Sequence, residues 1–531
     1  MQQMRTFFVL VALCTTAIRA ASLHIGGTIS AAPAIPKTWD ETALADWATP
    51  IAGLNLRPTN MSARDYYSMA VENLRTYPVY FPGREPNGYW EMLQRVGPKP
   101  LIEPEGLTTE ADWITAGQRV FDEADHLHLR SLDPNLIAAA RRTETFASAE
   151  PSPDGTVPSM RWVPTKTGVA LGFSNCSNCH VLPLPNGTRI PGAPEFGTGA
   201  ENQDRSRGPA RTLRAPLYAA RGVIGIGDAP FITGAEPPGA KRYEAFGVPW
   251  RANDINLKLK TITDDEDREL NAAFRRSGGL PRWNGSLYYP AKFPDLIGIK
   301  DRKYLDHTAT HLHRGIGDLM RYAALVSFAD SVDFGSYHVL SPGTKRVQAR
   351  MSDEALYALA LYIYSLTPPP NPNPRDDKAA AGERIFTREG CARCHTPPLY
   401  TNNKLTLAEG FSSPKDVSAT LDVLPISVGT DPGLALATRK GTGYYKVPSL
   451  KGLWYRGHYL HDGAVATLEE MFDPDRVKET QTWRLESTGH LDSRDQRSRI
   501  RLASGAERAG AAHRIPANTM TWARIVHAVR S

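Results

Sequence analysis

The pattern Cys-x-x-Cys-His occurs twice, as Cys176-Ser177-Asn178-Cys179-His180 and as Cys391-Ala392-Arg393-Cys394-His395. Two thiols at this spacing, followed directly by an imidazole, match the attachment pattern of a c-type haem. The thiols add across the haem vinyl groups, and the histidine binds the iron from the proximal side. The pattern therefore predicts two covalent haems. Cys176, Cys179, Cys391 and Cys394 are the attachment residues, and His180 and His395 are the proximal iron ligands. Each haem offers a large apolar face, which substitutes for much of a regular core.

The cysteine count sharpens this reading. There are five cysteines, and the fifth, Cys14, lies in an apolar N-terminal run. The alternatives are a thioredoxin-like dithiol and a zinc site. A redox dithiol does not need histidine directly after its second cysteine. A zinc site built from all four thiolates leaves both histidines idle.

Residues 1–20 read as a secretory signal, with Arg5 in the n-region, Thr6 to Ile18 as the apolar stretch and Ala20-Ala21 at the cleavage point. Leu13 makes Val11-Ala12-Leu13-Cys14 a poor lipoprotein cleavage site. The run is too short to span a membrane, and no later segment is apolar enough to do so. Export agrees with covalent haem, so a periplasmic or secreted location is expected. The length of 531 residues suggests two or three domains. The net charge of +6 is small for this length and the two signs are interspersed, which gives no nucleic-acid footprint.

The expected fold class is mainly α: two cytochrome c-like haem domains with long irregular connections and an N-terminal extension. The extension, 21–165, is rich in proline and aromatics and holds one clear helical pattern, Thr109 to Ala124. The first haem domain spans 166–366 and closes on an apolar helix, Asp353 to Leu366. Residues 367–377 form a linker that begins Thr367-Pro368-Pro369-Pro370-Asn371-Pro372-Asn373-Pro374, a stiff extended run. The second haem domain spans 378–531, and a short helix, Ala379 to Thr387, leads into Cys391. The 43 glycines and 42 prolines support long connections between helices.

A further motif follows the second haem site: Lys446-Val447-Pro448-Ser449-Leu450-Lys451-Gly452-Leu453-Trp454-Tyr455-Arg456-Gly457-His458-Tyr459-Leu460-His461-Asp462-Gly463, then Ala466-Thr467-Leu468-Glu469-Glu470. With the two haem motifs and the proline-rich linker, it resembles the bacterial dihaem cytochrome c peroxidase superfamily. That superfamily also contains the methylamine-utilisation dihaem enzyme and the haem rubber oxygenases. The resemblance covers about residues 166–475 and leaves out the extension. The long segment between the haem motifs is more similar to the rubber oxygenases than to a minimal peroxidase.

The resemblance implies an exported oxidoreductase, peroxidase-like first, with a reactive haem at His180 and an electron-transfer haem at His395. It also implies a small oxidant, peroxide or dioxygen, and a redox protein as electron donor. A rubber-type oxygenase and a non-enzymatic dihaem electron carrier remain as alternatives. In the peroxidases a methionine well after His-Asp-Gly binds the second iron, but Met471 comes too early and Met520 lies in an atypical tail. His490 is the candidate outer ligand instead, as a late histidine is in the rubber oxygenases, with an exposed surface histidine as the other reading. His461 reads as a local hydrogen-bonding residue of the His-Asp-Gly turn, with ligation as the alternative. His307, His311, His313 and Arg314 lie close together, and His307 and His311 share a face if helical. His311 or His313, with Arg314, is placed on the distal side of the first haem to handle protons; a hydrogen-bonded cluster is the other reading. Trp283 is a candidate electron relay or a packed residue. The resemblance further implies a calcium ion between the domains, with the carbonyls of Arg456 and His458 as ligands.

From about Arg494 the chain turns arginine-rich and loses apolar periodicity. The stretch GAAHRIPANT at 510–519 can be coded so that a one-base shift reads ALLIAYLRT, an apolar closing helix, and Met520-Thr521 then meets a stop. A frameshifted terminus and a disordered basic tail both fit. A shift beginning before residue 490 removes the His490 assignment.

Overall fold

The computed structural model describes residues 33–50, 59–60, 62–125, 130–146, 153–173, 175–184, 186–194, 279–280, 291–327, 332–333, 349–436 and 441–472. The N-terminal run, Trp283, His490 and the arginine-rich tail lie outside these residues.

Helix α1, Glu110–Glu123, starts where Thr109 and Asp112 cap each other. The Thr109 hydroxyl accepts from the Asp112 amide at 3.1 Å, and the Asp112 carboxylate accepts from the Thr109 amide at 2.8 Å. Its buried residues, Trp113, Ala116, Gly117, Val120 and Phe121, recur at three- and four-residue intervals and form one stripe. Two further helices complete the layer: α2, Ile316–Ser327, and α3, Asp353–Ser365, capped by Ser352. Helix α3 buries nearly all of its length, from Ala355 to Ile363. Trp113 meets Tyr357 edge-on at 5.4 Å, and Phe121 meets Tyr362 at 5.2 Å. Trp39 and Trp47 of the extension are fully buried in the same cluster as Leu319, Met320 and Ala324 of α2.

A second cluster lies under an antiparallel sheet of β1, Tyr77–Tyr80, β2, Thr156–Thr165, and β3, Gly168–Phe173. Thr165 pairs with Gly168 across the β2–β3 turn, so the strands on either side of 165/166 belong to one sheet. A two-residue hairpin follows, β4, Tyr304–Leu305, and β5, His311–Leu312.

Residues 367–376 carry no regular structure and are largely exposed. Helix α4, Asp377–Arg388, then begins at the Asp376 cap. The second half also holds a three-stranded sheet centred on β6, Leu405–Leu407. Strand β7, Val423–Leu424, lies parallel to it, and β8, Tyr444–Lys446, lies antiparallel.

The fold therefore mixes helix and sheet: the expected helices are present, and short strands stand beside them. The proline- and glycine-rich connections settle into short strand pairs, because backbone groups near a core must find partners. Two clusters join the halves. Tyr304 and Ala309 pack with Leu405, Val417, Leu421 and Tyr444, and Leu182, Ile190 and Ile297 pack with Tyr455.

The α1–α3 crossing requires glycine at position 117. A Cβ there would stand 1.9 Å from the Ala358 carbonyl oxygen and 2.8 Å from the Tyr362 Cβ. Gly117→Ala is expected to cost at least about 1–3 kcal/mol through overpacking, despite the better helix propensity of alanine. Thermal unfolding of the variant checks this; an unchanged midpoint would contradict so close a crossing.

Candidate haem-attachment sites

The two Cys-x-x-Cys-His segments fold into the same local shape. Each is a single tight turn, Cys176–Asn178 and Cys391–Arg393. In the first, the Cys176 carbonyl accepts from the amides of Cys179 at 3.2 Å and His180 at 3.0 Å. In the second, the Cys391 carbonyl accepts from Cys394 at 3.2 Å and His395 at 2.9 Å. In both, the backbone closes a single turn over the two cysteines and the histidine.

Different neighbours hold each turn. Buried Asn175 closes the first: its side-chain oxygen accepts from the Asn178 amide at 3.0 Å, and the Asn178 side chain returns the bond to the Asn175 amide at 2.8 Å. The Asn175 amide group also donates to the Asp122 carbonyl at the end of α1, at 2.5 Å. The second turn hangs from the end of α4, where Gly390 takes φ +76°.

The His395 ring is oriented by two carbonyls. Its Nδ1 lies 3.2 Å from the carbonyl oxygens of both Tyr400 and Pro448. Carbonyls only accept, so Nδ1 carries the proton and Nε2 is the bare nitrogen of the neutral ring. Burial holds this imidazole below its ordinary pKa, against the pull of the two carbonyls, and favours the neutral form a metal needs. The His180 ring meets Phe293 edge-on at 5.9 Å.

The thiols do not resemble a redox dithiol. Burial, with Asp122 nearby, pushes Cys176 up to about 12, and burial also raises Cys391 and Cys394. A reactive pair depends on a depressed thiol pKa. Among the described residues no group of three or more His, Cys, Asp or Glu side chains is arranged to hold a metal ion.

The residues placed on the distal side of the first haem take other partners. The 307–311 segment is a hairpin turn rather than a helix, so His307 and His311 do not share a helical face. His313 donates from Nδ1 to the Arg302 carbonyl at 2.7 Å, and its Nε2 lies 2.6 Å from the Tyr364 hydroxyl at the end of α3. His311 is buried with its ring 4.1 Å from Trp47, and its Nδ1 lies 2.9 Å from the Thr310 hydroxyl. The Arg314 guanidinium grips Asp318 through Nε at 2.9 Å and donates to the Ala43 carbonyl of the extension at 2.7 Å. Thus His313 ties the hairpin to α3, while His311 and Arg314 tie it to the extension.

His461 is buried against Tyr445, ring to ring at 4.5 Å. Its Nδ1 lies 3.0 Å from the Thr430 hydroxyl and its Nε2 3.4 Å from the Tyr445 hydroxyl. Gly463 takes φ +78° in the same turn. Both ring nitrogens serve local bonding, as expected for a His-Asp-Gly turn.

Of the two carbonyls offered to calcium, that of His458 is taken by Lys292, together with the neighbouring carbonyl of Gly457. The Lys292 ammonium donates to the carbonyl of Gly457 at 2.7 Å and to that of His458. Burial and the Arg456 charge lower Lys292 to about 7, while Asp462 and Asp295 pull the other way. The two carbonyls, which can only accept, also favour the protonated amine. Asp462 is buried and raised to about 8, by burial first and then by Asp431. Lys292 gave no signal in the sequence, because it lies in no motif and its partners are distant main-chain atoms.

The chain matches no protein-family model and no curated protein. Among solved structures it matches a hydrazine synthase from Kuenenia stuttgartiensis, determined under xenon pressure, at 17% identity and a TM-score of 0.20. The match covers 36% of this chain and 58% of that one. No helix among the described residues is long and apolar enough to cross a membrane.

Asp318, 1% exposed, is shared between Arg314 and buried Arg321, which approaches to 2.5 Å. Burial raises its carboxyl, but the bonds from Arg314 and Arg321 outweigh this and hold it below 3.8. A depressed carboxylate adds stability that is present above the unfolded value and lost as pH falls through the folded one. Asp318→Asn is expected to cost about 3–5 kcal/mol at neutral pH, since Arg321 is left buried without its counter-charge. The gap between variant and wild type should shrink below pH 3.8. Urea unfolding at several pH values reads this directly.

Proposed function

We propose that the chain is an exported dihaem c-type cytochrome oxidoreductase, peroxidase-like, with its reactive haem at His180 and its electron-transfer haem at His395. The observation that carries this reading is the shared shape of the two Cys-x-x-Cys-His turns, one of which presents a histidine with a carbonyl-fixed Nδ1–H and a bare Nε2. Cys176 and Cys179 would hold one haem and Cys391 and Cys394 the other, with His180 and His395 beneath the irons. Bound haem supplies one-electron redox chemistry and, at an iron with an open face, reduction of peroxide or dioxygen.

The chain's own part is positioning. Asn175 and Asn178 fix the first turn against the end of α1. Tyr400 and Pro448 fix the tautomer of His395, and a proximal imidazole so bonded is a stronger donor. The assignment of the reactive haem to the first motif rests on the resemblance to the dihaem peroxidase superfamily. A redox protein would deliver electrons to the second.

Expression in a host that matures c-type cytochromes tests this. Mass spectrometry should show two haems that survive denaturation, and electron paramagnetic resonance of the oxidised protein should show one high-spin and one low-spin iron. Replacing His180 should abolish peroxide turnover and leave the haem at Cys391 and Cys394 in place. Fewer than two haems would sink the reading. Two low-spin irons without turnover would make the protein an electron carrier.

A further inference from the structure

Lys292 belongs to the first half of the chain, where its strand pairs with Gly279–Leu280, yet it also bonds to a turn of the second. Its ammonium donates to the carbonyls of Gly457 and His458, and its own amide donates to the His461 carbonyl at 2.7 Å. Its carbonyl lies 2.8 Å from His307 Nε2. The side chain is thus held at its tip and at both ends of its backbone.

The receiving turn is shaped to present oxygens. His458 and Leu460 take φ +47° and +67°, a region that residues with side chains seldom occupy. Asp462, next along, is 1% exposed, and its Oδ2 has no hydrogen-bond partner among the described residues. Leaving such an atom bare is costly unless a positive charge stands close by. Lys292 brings its ammonium to the turn that leads into Asp462, through the carbonyls of Gly457 and His458. Close by, Arg456 pairs with Asp295 at 2.6 Å, and the Tyr455 hydroxyl reaches the same carboxylate at 3.2 Å. Carbonyl oxygens are among the donors a hard cation such as calcium takes. Here a compact ammonium with several N–H donors meets the same oxygens.

We propose that Lys292 is a built-in cation: its ammonium occupies a carbonyl cradle at the junction of the two halves that would otherwise take calcium. A diffusible ion can be stripped by a chelator, whereas a lysine tethered by the chain cannot. The inference concerns the junction and stands apart from the assignment of the haems.

Two arms test it, both on the full-length protein as matured in its host. In the first, elemental analysis of wild type should find no stoichiometric calcium, and neither EGTA nor calcium chloride should move its thermal midpoint. One calcium per chain, or a midpoint lowered by EGTA, would overturn the proposal. In the second, Lys292→Ala vacates the cradle. The variant should melt lower than wild type and recover, at least in part, with millimolar calcium chloride but not with sodium chloride of equal ionic strength. A variant as stable as wild type, or one destabilised and indifferent to calcium, would equally overturn it. If Lys292→Ala does not fold, the wild-type arm decides alone. Haem content, read by absorbance in the same samples, keeps either result separate from the question of cofactor attachment.

Discussion

The crossing of α1 and α3 at Gly117 sets the rest of the first half. A helix from the extension lies against the last helix before the linker, with the Ala358 carbonyl where a side chain would otherwise stand. Such an approach buries both helices deeply and gives the chain one core from Trp39 to Ile363. Burial on that scale is the main favourable term in folding, and it acts between segments more than two hundred residues apart. The first haem motif depends on it directly, because Asn175 is anchored to the final turn of α1. The extension is therefore part of what holds the Cys176 turn in place.

The junction between the halves follows a different principle. Beside its two apolar clusters it carries charged and polar groups withdrawn from water. Asp295 receives Arg456 and Tyr455, and Lys292 receives the turn from Gly457 to His461. Groups of this kind contribute modestly when matched and cost heavily when one partner is lost. They fix register better than a greasy surface would, because a shift of one residue leaves charges unpaired.

Much of the scaffold was legible in the sequence. The helical pattern of Thr109 to Ala124 corresponds to α1, the apolar run of Asp353 to Leu366 to α3, and the proline run to residues without regular structure. These signals are local: a period and a breaker each act within a few residues. The two Cys-x-x-Cys-His turns were legible for the same reason. What escaped was long-range. The partners of the 307–314 segment, Tyr364 for His313 and Asp318 with Ala43 for Arg314, lie outside it and could not be read from its own residues. Short strand pairs such as β4 with β5 carry no sequence period long enough to read. Lys292 was invisible because a lysine that binds main-chain oxygens leaves no complementary residue to pair with it.

The exposed linker has a consequence for the particle as a whole. Residues 367–376 are the covalent connection between α3 and α4, yet the halves also meet through the Tyr304–Tyr444 cluster, the Asp295–Arg456 pair and Lys292. A protease that cleaved the linker would find its fragments still clasped together. On a denaturing gel the chain would run as two pieces, while in native solution it would sediment as one.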